Sequence, residues 1–344
     1  MMLPPNILLA HGGGGQLMDQ LLDEVVRPLL GNDILNDGLD SGIIELPQSK
    51  IKNQKSKIAL TLDGYVVSPW KFPGGDIGRL SVCGTVNDLA VCGAKPLGIA
   101  LGLIIAEGFE TDSLRAVMAS VAAAALEAGV KVVTGDTKVV GRGQADGIYI
   151  TTAGVGLCAP EVTLHPTFCQ PGDVLIINGH IADHGLAVML SREMPQITSP
   201  IRSDAAPLNG LIEHVLASGA TVRFMRDATR AGLAGLCADL AKRCGHRVIL
   251  EESAIPLRKE TQHAAELLGL DVLEVANEGK VVMVVPADHA QRALAALRGH
   301  PLGAHAAIIG RIGDLPDGIC ELRTGHGGSR VVQKPYGEQL PRIC

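Results

Sequence analysis

The stretch VVTGDTK, residues 132–138, decides how this chain is read. Two valines favour extended backbone, and the glycine–aspartate step with a lysine two residues on reads as a strand that ends by presenting charge. The neighbourhood repeats that design. Residues 97–106 (LGIALGLIIA) read as a strand, residues 111–128 as an alanine-rich helix with Thr111 as its N-cap, and residues 147–157 as a further strand. Upstream, residues 41–46 and 57–62 read as strands, the second running into Thr61-Leu62-Asp63-Gly64. Between them residues 47–56, with Lys50, Lys52 and Lys55, read as a solvated loop. Residues 76–91 read as a helix of small apolar residues that carries Asn87-Asp88. Strands and helices in alternation, with carboxylates at element ends, imply mixed α/β layers, an α+β protein.

At the N-terminal end residues 7–10 read as a short strand, followed by His11-Gly12-Gly13-Gly14-Gly15. Leu17, Leu21, Leu22, Val25, Val26 and Leu29 then recur at helical spacing. A glycine run that opens a helix lets backbone N–H groups converge on phosphate, and equally serves as a hinge. It is neither a Walker A loop nor a dinucleotide fingerprint. Four segments are expected: a first domain over 1–159, a linker over 160–171, a second domain over 172–334, and a mobile tail over 335–344. The second domain contains Arg226-Asp227-Ala228-Thr229-Arg230 ahead of a helix and Asn277-Glu278-Gly279-Lys280 ahead of a strand. The tail, PYGEQLPRIC, holds two prolines and a glycine and ends on Cys344; ten extended residues reach about 33 Å, enough to carry a thiol into a distant cleft.

Composition excludes several classes. The net charge of −6 gives no basic footprint for nucleic acid or an anionic membrane. No apolar run approaches the roughly 20 residues of a membrane span, and the first residues lack the basic flank of a signal peptide. Eight cysteines without a CxxC pair argue against a disulfide framework or a zinc ribbon, so a reducing cytoplasm is the expected home. The hydrophobic content is 47% with only 2% aromatic residues, so the cores must be built from Ala, Val, Leu and Ile.

Asp63, Asp88, Asp136 and Asp227 each read singly as turn or cap residues. Together with the His11 to Gly15 loop they have the composition of a magnesium–nucleotide site, because Mg²⁺ takes a few carboxylates and fills its octahedron with phosphate and water. Lys138 and Arg230 suit phosphate oxygens or surface ion pairs alike. Glu278 suits a general base if desolvated, and equally a strand-edge charge. His184 and His326 read as structural residues.

These motifs resemble the aminoimidazole-ribonucleotide-synthetase-like (PurM-like) superfamily: His11 with its glycines, Leu62-Asp63-Gly64, Asn87-Asp88-Leu89-Ala90, Thr134-Gly135-Asp136-Thr137-Lys138 and Arg226-Asp227-Ala228-Thr229-Arg230. The ending Pro341-Arg342-Ile343-Cys344 is similar to the HypE family of hydrogenase-maturation factors within it. One departure is Ala231, where many relatives have glycine. The resemblance implies an ATP-dependent carbamoyl dehydratase. A carbamoyltransferase, HypF, would load Cys344; ATP with Mg²⁺ would drive dehydration of the thiocarbamate to a thiocyanate; and the cyano group would pass to iron on a HypC–HypD complex. It further implies Cys344, Lys138 and Glu278 as catalytic residues. Nucleotide binding would fall to His11, Gly12, Gly13, Gly14, Gly15, Asp63, Asp88, Asp136, Asp227, Thr229 and Arg230, with the four aspartates as metal ligands, in a homodimer. Selenophosphate synthetase is an alternative, but its reactive residue lies near the glycine loop and the first cysteine here is Cys83. A thiamine monophosphate kinase would leave the tail without a role. A nucleotide-binding scaffold is the alternative outside enzymes.

Overall fold

The computed structural model describes residues 6–46, 57–159, 161–337 and 340–344; the expected loop at 47–56 and the first linker residue, Pro160, lie outside them. After a 3-10 turn at Leu9–Gly12 come α1 (Gln16–Leu21), a π turn (Leu22–Val26), α2 (Arg27–Leu30), α3 (Asp33–Asn36), β1 (Gly42–Glu45) and β2 (Lys57–Tyr65). The short β3 (Lys71–Phe72) and β4 (Gly75–Asp76) precede α4 (Ile77–Val91), β5 (Ala94–Ala106), α5 (Thr111–Ala128), β6 (Val132–Val140) and β7 (Ile148–Cys158). The second half holds β8 (Val174–Ile177), α6 (Asp183–Glu193), α7 (Asn209–Ala217), β9 (Phe224–Asp227), α8 (Gly232–Cys244), β10 (Val248–Glu251) and α9 (Lys259–Leu268). It closes with β11 (Val281–Val285), α10 (Ala290–Arg298), β12 (Ala307–Ile312), β13 (Cys320–Arg323) and β14 (Ser329–Val332).

The first half builds a sheet in the order β1-β2-β7-β5-β6, antiparallel except for the β5–β6 pair. Helix α4 lies between this sheet and the second half of the chain, and only Arg79 and Asp88 on it escape full burial. Its small residues permit this. A Cβ added at Gly84 would sit 2.2 Å from the Tyr65 hydroxyl, so β2 and α4 approach there as closely as backbone allows. Asp76 caps the helix, its carboxylate accepting the Arg79 N–H at 2.9 Å.

The second half builds a seven-stranded sheet, β14-β13-β10-β12-β8-β11-β9. Helices α6 and α8 cover one face, with Leu186, Leu233 and Leu240 in the core, and α7 and α10 cover the other with Leu211, Val215 and Leu297. Every residue of β11 is therefore buried, which is why it reads as an unbroken valine-rich run rather than an alternating strand.

Several expected elements differ. Residues 7–10 form no strand: the His11 ring folds back to the Leu8 N–H at 2.9 Å and closes a turn. The expected long helix after the glycines is split by the π turn, with Pro28 at the start of α2. The expected helix over residues 205–217 starts only at Asn209, since Pro207 disfavours helix in the residue before it. Glu110, not Thr111, is the N-cap of α5. Asp63 and Asp136 lie within strands, because β2 and β6 run on to Tyr65 and Val140.

Candidate active site

Pairing within each sheet brings the acids together. Asp63 on β2 sits opposite Thr152 of β7, and Thr61, two residues before it on the same strand, donates its hydroxyl to Asp88 of α4 at 2.7 Å. Asp227 ends β9 opposite Val281 of β11, next to the turn that carries Glu278. Asn277 donates to the Ala228 carbonyl at 2.7 Å, and Asn87 reaches across from α4 to the Glu278 carbonyl at 3.3 Å and the Ala206 carbonyl at 3.1 Å. The Asn87 carbonyl accepts the Leu208 N–H at 2.7 Å. Neighbouring asparagines thus hold Asp88 and Glu278 on facing walls.

The result is a cleft of about 720 Å³ whose lining includes Gly14, Asp63, Asp88, Asp227, Thr229, Arg230, Glu278 and Cys344. Burial raises the proton affinity of Asp63, Asp88, Asp227 and Glu278. Burial pushes Asp227 up to about 8, with Asp40 adding to the rise, while burial and then Asp227, Asp204 and Asp63 raise Glu278 well above the usual range. Tyr65 donates its hydroxyl to Asp63 at 3.3 Å. Arg230 opposes the negative field, and the charge at Cys344 is the largest influence raising its own pKa.

The glycine loop closes one end. Arg230 Nη1 donates to the Gly12 carbonyl at 3.1 Å. A Cβ at Gly15 would lie 2.5 Å from the Pro335 carbonyl, so the loop packs directly on the start of the tail. The first amides of α1, at Gln16 and Leu17, donate to the carbonyls of Pro335 and Tyr336 at 2.9 and 3.1 Å. His11 is buried, and its Nε2 has no partner among the described residues.

The tail returns into the cleft. The Val66 N–H donates to the Cys344 carbonyl at 3.0 Å and the Ser68 N–H to the Arg342 carbonyl at 3.2 Å. Ile343 is 2% exposed, and Arg342 pairs with Asp146 beneath Tyr149. Arg342 adopts the left-handed region, φ 54°, which turns the last two residues inward.

Asp136 and Lys138 do not join the cleft within one chain, and of residues 11–15 only Gly14 is in its lining. Asp136 and Lys138 lie on β6, the outer strand of its sheet, where they pair with each other at 2.6 Å and each side chain is 68% exposed. The sequence reading missed Asp40, whose carboxylate pairs with Arg226 at 3.0 Å in the cleft, and His184, which bonds the tail. The Asp40-Ser41-Gly42 turn ahead of β1 was the available signal for the first; nothing local marks the second. Among the described residues no group of three or more His, Cys, Asp or Glu forms a ready-made metal cage.

Residues 38–158 match the model of the AIR synthase related protein N-terminal domain, and residues 170–322 match that of the C-terminal domain. The chain is 44% identical over 339 residues to the carbamoyl dehydratase HypE of Rhodobacter capsulatus, covering 98% of each. It superposes on HypE solved in a HypE–HypF complex with a TM-score of 0.84 at 41% identity, covering 92% of this chain and 99% of that one. It matches HypE solved in complex with ATP with a TM-score of 0.80 at 37% identity, covering 98% and 100%. A full-length match at this identity, with the same two domain families in the same order, places the chain in the HypE family of carbamoyl dehydratases.

Proposed function

We propose that the chain uses ATP to dehydrate a carbamoyl group carried on the sulfur of its own Cys344, yielding a thiocyanate for hydrogenase maturation. The observation that carries this reading is the tail itself, which delivers Cys344 into the acid-lined cleft. In the first step the carbamoyl oxygen attacks the γ-phosphoryl group, ADP leaves, and an N–H proton departs. In the second the C–O bond breaks, inorganic phosphate leaves, and loss of the remaining N–H proton completes the C≡N bond. Glu278 is assigned as the base: burial and like charges raise its proton affinity, and in the carboxylate form, which a cation held by the neighbouring acids would favour, it accepts an N–H proton better than an exposed carboxylate does. Arg230 is placed to meet charge on the transferred phosphoryl group.

The residues present fit a nucleotide with Mg²⁺. The raised carboxyls of Asp63, Asp88 and Asp227 would be relieved by a cation, and three acids short of a full cage suit an ion that draws on phosphate and water. Mg²⁺ would there neutralise phosphate charge. The glycines from Gly12 to Gly15 and Thr229 would flank the phosphates. A homodimer gives Asp136 and Lys138 a place. Among the described residues β6 pairs only with β5, and along it Val133 is 64% and Val139 68% exposed, while Leu62 of the same sheet is 71% exposed. Such an edge is normally covered. In this reading a second copy covers it and supplies Asp136 and Lys138 to the cleft.

HypF would load Cys344, and the HypC–HypD complex would receive the cyano group. Residues 1–159 and 172–334 would act as two domains and residues 335–344 as the carrier. No described helix is long and apolar enough to cross a membrane. The site of action would be the cytoplasm. The test is intact mass after incubation with HypF, carbamoyl phosphate and ATP. A carbamoyl adduct that loses one water only with ATP, and only when Cys344 is present, is the expected result. A Cys344 left unmodified by active HypF would overturn the proposal.

A further inference from the structure

Each of the four last residues of the tail accepts a hydrogen bond through a main-chain oxygen, that of Cys344 belonging to its terminal carboxylate. The oxygens of Arg342 and Cys344 accept from the backbone of Ser68 and Val66 on one side. Those of Pro341 and Ile343 meet two side chains of α6. Arg192 Nη1 donates to the Pro341 carbonyl at 2.7 Å, and His184 Nε2 donates to the Ile343 carbonyl at 2.9 Å.

His184 is built for this contact. It is fully buried, the edge of Phe72 meets it with ring centroids 5.4 Å apart, and its Nδ1 lies 2.8 Å from the Ser203 hydroxyl. A carbonyl accepts only, so Nε2 must hold the proton; Nδ1 then accepts from Ser203. Burial lowers the His184 pKa, which keeps this neutral tautomer. Ser203 is itself fixed, its N–H donating to the Pro73 carbonyl at 2.7 Å and its hydroxyl accepting the Ala205 N–H at 3.1 Å.

We infer that His184 and Arg192 are positioning residues that set the register of the docked tail by holding its main-chain oxygens. The donors all belong to the body of the protein, and each meets a main-chain oxygen of the tail. The same grip then suits Cys344 as a free thiol, a thiocarbamate or a thiocyanate, so the reacting group can change while its carrier stays in register. Its catalytic meaning rests on the dehydratase reading; the docking itself does not.

The test is alkylation of Cys344 by iodoacetamide in the full-length protein, followed site by site by mass spectrometry without nucleotide or partner. His184→Ala is expected to speed labelling of Cys344 about five- to tenfold, the effect of one buried hydrogen bond, with the other seven cysteines unchanged. His184→Gln keeps an N–H donor at the Nε2 position and is expected to restore most of the protection. Arg192→Ala, at a half-buried position, is the companion if His184→Ala does not fold. In turnover the two alanine variants should accept carbamoyl from HypF at least as fast as the parent, since loading needs a released tail, yet lose water with ATP more slowly. Opposite changes in two steps are not what general loosening produces. Unchanged Cys344 labelling, equal acceleration at all cysteines, or a glutamine variant no better than alanine would each overturn the clamp, whatever became of the dehydratase reading.

Discussion

Glu278→Gln should make the protein more stable and catalytically silent. Glu278 is 3% exposed, with Asp227, Asp204 and Asp63 raising its proton affinity after burial itself, and Arg230 opposing them. Its folded pKa is therefore raised well above the ordinary glutamate value of about 4.5. Between those two values the folded chain holds a proton that the unfolded chain has released, so stability falls as pH rises. The slope is about 1.4 kcal/mol per pH unit across that window. Below the unfolded pKa the contribution is fully present, and it is lost as pH climbs through the folded value. Glutamine has nearly the same shape and does not titrate. Urea unfolding of parent and variant, in chelator and without nucleotide, should thus show matching stabilities near pH 4.5 and a growing advantage for the variant from pH 5 to 7. Comparing the two proteins separates Glu278 from the other buried acids. Dehydration of the carbamoylated tail should drop by about 10² to 10⁴, the usual contribution of a general base. A stability gap that does not change with pH would show that Glu278 ionises normally in the fold, and wild-type dehydration by the variant would remove it from the chemistry.

Asn87→Ala leaves the Ala206 and Glu278 carbonyls and the Leu208 N–H without their buried partner, and should cost about 3 kcal/mol, read as a lower urea midpoint; a loss under about 1 kcal/mol would mean these contacts do not tie the walls of the cleft. Gly15→Ala puts a methyl 2.5 Å from the Pro335 carbonyl, so the tail must shift; Cys344 should alkylate faster and dehydrate more slowly, and unchanged labelling would show that the hinge does not touch the glycine loop. Lys138→Ala and Cys344→Ala should each be inactive alone. If β6 completes the cleft of a second copy, mixing the two chains through unfolding and refolding should recover about a quarter of parent activity per site; no recovery would put Lys138 in its own chain's site or outside the reaction.

Most of the frame was legible because it rests on local signals. The α4 helix, the strands β2 and β5 and the valine run of β11 follow from periodicity and small-residue content. Asp63, Asp88, Asp227 and Glu278 were found as carboxylates beside glycine, asparagine or arginine, and all four line one cleft. What local signals do not contain is pairing order. That β6 is the sheet's outer strand, which leaves Asp136 and Lys138 in solvent, depends on which strands β5 and β7 choose as neighbours. His184 was passed over as a structural histidine for the same reason. Its partner, Ile343, lies 159 residues away, and no spacing rule links them.

The cleft divides its labour between the two halves of the chain, and the tail touches both. Asp63, Tyr65 and Asp88 come from the first half, Asp227, Arg230 and Glu278 from the second, while Val66 and Ser68 grip the tail from one side and His184 and Arg192 from the other. The acids take their positions from the body of the protein: Asp63 is held by β-pairing and Tyr65, Asp88 by Thr61, and Asp227 by its pairing with β11. Removal of residues 335–344 should therefore leave nucleotide binding close to that of the parent. The charge at Cys344 is the largest influence raising the Arg230 pKa, so its loss frees that guanidinium for phosphate. Calorimetric titration of the truncated chain with a non-hydrolysable nucleotide reads the outcome directly. Equal or tighter binding fits a carrier that visits a site complete without it. A loss of more than about tenfold, equivalent to about 1.4 kcal/mol, would mean that the tail is part of the nucleotide site and not its passenger.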